Sequence, residues 1–283
     1  MSKVVEVEHF SFKYNEGKKR VLNNINFEVQ QGEFLCIIGP NGSGKSSLCN
    51  ALVGLIPSYF RGPVRGRIRI MDEDTQETTV AKLARKIGLV FQNPFNQLSY
   101  TTSTVEEELA YGLTNLGMGR DEMKERVLNI ANVIRVEHLL HKSPLELSGG
   151  QVQRVAIGSA LVMQPRILVL DECTTQLDPL GSEEIFDIVK KLNSEGITVI
   201  MVDHDMERVA RCADRILVLY QGAILAIDSP AAIFANQEIT SKGVNIPDYS
   251  RFSLALSEQG MYSGQLIATE DEAVRIGMEI VGK

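Results

Sequence analysis

The run GPNGSGKSS, residues 39–47, sets three glycines, three serines and a lysine where a phosphorylated ligand could be gripped. Its spacing matches G-x-x-x-x-G-K-[ST], a loop whose backbone N–H groups cradle phosphate. Gly39, Gly42 and Gly44 let the backbone approach phosphate oxygens without Cβ clashes. Successive N–H groups and the N-terminus of a following helix supply partial positive charge. Lys45 is placed to reach β- and γ-phosphates, and the Ser46 hydroxyl to ligate Mg2+. The candidate phosphate-binding set is therefore Gly39, Pro40, Asn41, Gly42, Ser43, Gly44, Lys45, Ser46 and Ser47.

Such a loop requires acidic partners, and ILVLDE supplies Asp171 and Glu172. Asp171 is expected to hold the Mg2+ shell through water. Glu172 stands where a carboxylate could orient or deprotonate an attacking water. An apolar run ending in two acids can also be an ordinary strand end; the upstream loop favours chemistry. Gln92 follows IGLVF and His204 follows TVIMVD, and ligands bind at the carboxyl ends of parallel strands. Each could be an ordinary satisfied polar group, but beside the loop both become candidates for sensing Mg2+ and the γ-phosphate. His9, His138 and His141 lack such a setting and are read as structural.

LELSGGQVQRVA, residues 145–156, carries a second glycine turn with no lysine. Ser148 can N-cap the helix that QVQRVAIGSAL predicts, with Gly149 and Gly150 leaving N–H groups bare before Gln151. The turn reads either as a plain helix start or as a second anion site. One nucleotide held by the first loop does not need it. Two subunits packed head to tail would.

The elements that must position these groups are legible as apolar runs. FLCIIG (34–39), IGLVF, ILVLDE, TVIMVDH and RILVLY are short and continuous, as strands buried on both faces are. VVEVEHFSFKY alternates from Val4 to Tyr14 and NNINFEV follows it. Helical stripes lie between: Leu48, Leu52 and Leu55; Met123, Val127, Ile130 and Ile134; Ile185, Ile188, Val189 and Leu192. Thr104 with Glu107 fits a capping box. The pattern implies an α/β fold with a mainly parallel sheet core, N-terminal antiparallel strands and a helical subdomain at about 93–163. Residues 1–238 form the expected main domain. Residues 239–283 form a short extension, turn-rich at first, ending in a helix capped by Thr269 and Glu272.

At 283 residues with a net charge of −7 and no Lys/Arg block, the chain gives little support to nucleic-acid binding. Cys36, Cys49, Cys173 and Cys212 form no C-x-x-C pair and read as small buried hydrophobes. No apolar run reaches the roughly 18 residues needed to span a bilayer. The N-terminal residues lack a signal peptide's apolar block. A cytoplasmic location is expected, with membrane contact only through partners.

These motifs together, over about residues 4–235, resemble the nucleotide-binding subunit of ATP-binding cassette (ABC) transporters. The resemblance implies ATP and Mg2+ as ligands and a second ATPase subunit, identical or related. It makes Ser148, Gly149, Gly150 and Gln151 the signature that binds the γ-phosphate of ATP held by the opposite subunit. Tyr14, 25 positions before Gly39, matches an aromatic that stacks on adenine, though it could equally belong to one sheet face with Phe10 and Phe12. Gln92 matches a residue that coordinates Mg2+ and touches the membrane partner. Asp178 matches one lining the dimer seam, Glu172 the catalytic carboxylate and His204 a switch histidine. Lys45 completes the catalytic set.

Several segments, VFQNPFNQL, TVEEELAYGLTNLG and TTQLDPLGSEEIFDIV among them, are similar to the energy-coupling factor (ECF) branch. That branch powers uptake of vitamins and transition-metal ions. It implies a transmembrane coupling subunit, a substrate-binding membrane subunit and a place on the cytoplasmic face of the membrane. Other ABC importers or exporters are the alternative. A soluble cassette of DNA repair or translation fits less, since the chain has one cassette and no coiled-coil or zinc insertion. Three departures stand out. Cys173 replaces a proline, Val152 replaces a basic residue or glutamine, and Phe95 replaces an acid.

Overall fold

The computed structural model describes residues 2–282 apart from Gln176, Gln265, Leu266 and Ala268. Its strands are β1 (Lys3–Phe12), β2 (Leu22–Gln30), β3 (Phe34–Ile38), β4 (Val64–Ile70), β5 (Glu73–Asp74), β6 (Ile87–Val90), β7 (Ile167–Asp171), β8 (Thr198–Val202), β9 (Arg215–Tyr220) and β10 (Ala223–Asp228). One sheet is antiparallel in the order β2-β1-β4-β5; the other runs β10-β9-β3-β8-β7-β6. The second sheet is parallel from β6 to β9 and closes with β10 antiparallel to β9. Strands β6, β7, β8 and β3 therefore end on one edge, which is where the chemistry-bearing residues follow them.

Between the strands lie α1 (Lys45–Leu52), α2 (Leu55–Ser58), α3 (Val80–Leu83), α4 (Val105–Thr114), α5 (Arg120–Val133), α6 (Gly149–Leu161), α7 (Pro179–Ser194) and α8 (Met206–Cys212). After β10 come α9 (Pro230–Ala235), α10 (Gln237–Ser241), α11 (Asp248–Glu258) and α12 (Glu270–Val281).

The period-2 geometry of a strand sends alternate residues of β3 into two cores. Leu35 and Ile37 pack with α1 and the antiparallel sheet. Phe34, Cys36 and Ile38 face the other way, into a core shared with α4 to α8. Strand β7 splits likewise, Ile167 and Val169 against Leu168 and Leu170. The sheet is thus a middle layer clamped on both faces, which holds its strand ends still.

Some expectations need correcting. Alternation in β1 stops short of Tyr14: the strand ends at Phe12, and register shifts around His9 bury Phe10, Ser11 and Phe12 in succession. The apolar runs do not mark β4 or β10, because β4 carries arginines at alternate positions and β10 is half-buried from Ala223 to Ile227. The turn-rich reading of the tail misses α11, whose N-cap is Pro247 with no side-chain cap. Helix α12 does start at the Thr269 cap, whose Oγ1 accepts from Glu272 N–H. Tyr249, Leu256, Ile267 and Ile276 give this tail its own small core, packed against Ala210 of α8. No helix among the described residues is long and apolar enough to cross a membrane.

Candidate functional site

Strand β3 runs into residues 39–44, and the backbone there admits only glycine at two places. A Cβ on Gly39 would lie 2.0 Å from the Leu219 carbonyl oxygen, and one on Gly44 2.8 Å from that of Val21. Gly44 is left-handed (φ 108) and starts α1 with no side-chain cap. The first N–H groups of α1 are therefore left for an external acceptor. Lys45 folds back over the loop, its Nζ donating to the carbonyls of Gly39 (3.0 Å) and Pro40 (3.3 Å).

The parallel strands bring their end residues to this loop. Glu172 follows β7 in a left-handed conformation (φ 50), a strained backbone for a residue with a side chain. Its N–H donates to the Val202 carbonyl at 3.1 Å, extending the β7–β8 ladder by one rung. The carboxylate is then held from three sides. Gln92 Nε2 donates to Oε2 at 2.7 Å, His204 Nε2 meets Oε1 at 2.7 Å, and Lys45 Nζ stands 3.6 Å from Oε1. Gln92, Glu172 and His204 line one open cavity of about 590 Å3 with Asn41, Gly42 and Lys45. Four positions far apart in the chain, Lys45, Gln92, Glu172 and His204, thus converge.

Asp171 lies deeper, 6% exposed, and its Oδ1 has no hydrogen-bond partner. Burial pushes its carboxyl above the usual carboxylate range, the neighbouring Glu172 charge adding to this, while a hydrogen bond with Ser46 pulls the other way. A buried carboxylate oxygen without a donor, on a carboxyl bonded to a serine hydroxyl, suits a hard cation. A set with only one inner acid fits Mg2+, which keeps several waters and takes substrate phosphates as ligands. Ser46, Gln92 and Asp171 are the residues that would hold it.

Tyr14 stands at the rim. Its hydroxyl shares a hydrogen bond with Ser47 Oγ at 3.0 Å, and its ring meets Phe12 and Phe60 edge to face.

The second glycine turn sits elsewhere. Ser148 caps α6 in a capping box: its Oγ accepts from Gln151 N–H, and Gln151 Oε1 accepts from Ser148 N–H. A Cβ added to Gly149 would meet nothing within 4 Å, and one on Gly150 only Leu177 Cδ2 at 3.8 Å. Nothing among the described residues demands glycine there. Ser148, Gly149, Gly150 and Gln151 line a separate cavity of about 550 Å3 with Asp178. Asp178 caps α7, accepting from Gly181 N–H at 2.6 Å. Gln176, in the TQLDP segment, lies outside the described residues.

Several positioning residues carry no sequence signal of the kind used above. Gln97 ties the segment after Gln92 down, accepting from Phe91 N–H and donating to the carbonyls of Leu89 and Ala156. Glu108, 3% exposed, accepts from Ser99 N–H, Ser99 Oγ and Thr102 Oγ1. Asp203 Oδ1 accepts from the N–H groups of His204 and Asp205, and its Oδ2 from Arg208 Nη1. The TVEEE spacing could have flagged Glu108 only as a surface acid. His138 and His141, read as structural, are both solvent-exposed, and His138 lines the signature cavity.

A family model described as ABC transporter matches residues 22–175. A putative ABC transporter ATP-binding protein of Pyrococcus horikoshii is 43% identical over 96% of this chain and 96% of its own length. The energy-coupling factor transporter ATP-binding protein EcfA1 of Geobacillus kaustophilus is 38% identical over 91% of this chain and 90% of its own. Among solved structures, cbiO1 from Clostridium perfringens, part of the ABC transporter complex cbiONQ, superposes with a TM-score of 0.73 at 33% identity, covering 92% of this chain and 98% of that one. An ATP-binding cassette solved as a dimer in a post-hydrolysis state with ADP and Pi gives a TM-score of 0.69 at 31% identity, covering 80% and 98%.

Proposed function

We infer that this chain, which belongs to the ABC transporter family, is the ATP-hydrolysing subunit of an energy-coupling factor importer. One observation carries the mechanism: within a single chain the phosphate loop and the signature line two cavities that share no residue. Each is half a site. Two subunits packed head to tail bring the Ser148 turn of one onto the nucleotide bound by the other. Residues 1–238 act as the ATPase domain, and 239–283 as an extension.

In this reading the β- and γ-phosphates settle on the uncapped start of α1. Lys45 exchanges the carbonyls of Gly39 and Pro40 for phosphate oxygens, and Tyr14 faces the base. Bound Mg2+ supplies charge neutralisation on the phosphates. Glu172, pinned by Gln92 and His204, takes the proton of the attacking water. His204 is poised to turn from the carboxylate to the γ-phosphate. The barrier falls mainly through positioning and charge neutralisation. Phe95, half-exposed on the turn after Gln92, offers a contact for a transmembrane coupling subunit.

Purification of the complex from membranes through this chain tests the reading. It should bring down a second ABC ATPase subunit, a transmembrane coupling subunit and a substrate-binding membrane protein. Full-rate ATP hydrolysis by a strictly monomeric chain with bulky residues at Gly149 and Gly150 would overturn it.

A further inference from the structure

The loop joining β1 to β2 and the segment between α2 and β4 form one surface at the end of the antiparallel sheet. Asn15 N–H donates to the Arg61 carbonyl at 3.2 Å, and Lys13 N–H to that of Pro63 at 3.4 Å. The ring centroids of Tyr14 and Phe60 are 6.3 Å apart. The two segments are therefore one patch and not two flexible loops.

The charge of this patch is opposite to that of the chain. The two segments and the start of β4 carry Lys13, Lys18, Lys19, Arg20, Arg61 and Arg65 and, among their own residues, a single carboxylate, Glu16, in a protein of net charge −7. Further along β4 the arginines are neutralised: Arg67 pairs with Glu8, and Arg69 lies opposite Glu6. Arg65 lies opposite Ser11 instead. Beside these cations two rings stand in water, Tyr59 at 74% and Phe60 at 41% exposure. Aromatic rings settle at the headgroup level of a bilayer, and clustered Lys/Arg are drawn to anionic lipid. A long polyanion would run off the patch onto acidic surface, whereas a headgroup plane touches only what is pressed against it.

We propose that the patch formed by Lys18, Lys19, Arg61, Arg65, Tyr59 and Phe60 rests on anionic phospholipid headgroups and holds the ATPase against the bilayer by direct contact. The inference goes beyond the ATPase reading and stands without it.

Flotation of the full chain with phosphatidylcholine vesicles, with and without phosphatidylglycerol, tests it. The chain should float with the anionic vesicles only, and less as salt rises. Each near-surface cation contributes roughly fivefold to partitioning, so Lys18→Gln/Lys19→Gln/Arg61→Gln/Arg65→Gln should lower it by at least about tenfold. Tyr59→Ser should lower it with all charges kept. Unchanged ATP turnover and thermal midpoint in both variants would show that the fold is intact. Equal flotation on neutral vesicles, no loss in the quadruple variant, or tighter retention on single-stranded RNA than on vesicles would each overturn the proposal.

Discussion

Oε1 of Glu172 stands 2.7 Å from Nε2 of His204, joining the ends of two adjacent parallel strands. The contact is set by backbone as much as by side chain. The Glu172 N–H is bonded to the carbonyl of Val202, two residues before His204, so strand register dictates which side chains meet. Histidine, glutamine and lysine all converge on one carboxylate.

Replacing that carboxylate by its amide keeps the shape and removes the base. Glu172→Gln should retain ATP binding, accumulate the closed dimer and lose turnover by about 10²- to 10⁴-fold. Steady-state hydrolysis and size exclusion in ATP measure this. Turnover within about tenfold of the parent would refute the general-base role.

The two half-sites predict complementation between defective copies. Lys45→Ala disables the phosphate loop, and Gly150→Glu blocks the signature at a position where, among the described residues, an added Cβ would meet only Leu177 Cδ2, at an ordinary 3.8 Å. Each variant alone should be inactive. A mixture should recover activity, because the mixed dimer holds one site with both halves sound. No recovery on mixing, with dimers formed, would sink the shared-site mechanism.

Asp171 illustrates a cost of function. Its buried carboxylate lacks a donor on Oδ1, and burial raises its pKa. A carboxyl whose folded pKa is raised holds its proton more tightly when folded. The penalty is therefore absent below the ordinary value of 3.8 and grows as pH rises through the shifted value. At neutral pH, Asp171→Asn should raise the melting temperature of the nucleotide-free protein by roughly 2 °C or more. The gap should narrow on acidification, and stabilisation by Mg2+ with ATP should be lost in the variant.

Arg208 is 7% exposed by side chain and pairs with the equally buried Asp203, which holds the His204 backbone. Arg208→Ala leaves that carboxylate unpaired and should destabilise the fold by about 3–5 kcal/mol. Adding Asp203→Asn should restore part of the stability in urea unfolding. It should not restore turnover, because the anchor of His204 stays weakened.

The thiols should differ in reactivity. Burial pushes Cys173 up to about 12 and raises Cys36 and Cys49 well above the ordinary range, whereas Cys212 is partly exposed. Iodoacetamide at mildly alkaline pH should label Cys212 first, followed by mass spectrometry. Early labelling of Cys173 would contradict its burial in the turn after β7.

Much of the site was readable because its chemistry is local in sequence. A glycine-rich run between an apolar strand and a helix is complete within nine residues, and acids ending an apolar strand are visible at once. The supports were not readable. Glu108 looks like one of three surface acids opening α4 until Ser99 and Thr102 fold over it. Gln97 and Asp203 act on backbone groups, which leave no mark in side-chain spacing. Helix α11 was missed for a similar reason: it starts without a side-chain cap, and the small core it joins includes residues from α12.

By itself the chain of residues determined the phosphate loop, the strand-end acids, the capped glycine turn and the layered α/β plan, because each rests on short-range spacing and periodicity. Only the tertiary structure decided that Gln92, Glu172, His204 and Lys45 meet at one carboxylate, and that the glycine turn lies in a different cavity from the loop. Those facts depend on strand order and on how one sheet face is packed against helices. Contacts between distant segments follow from that packing, and spacing along the chain does not carry it.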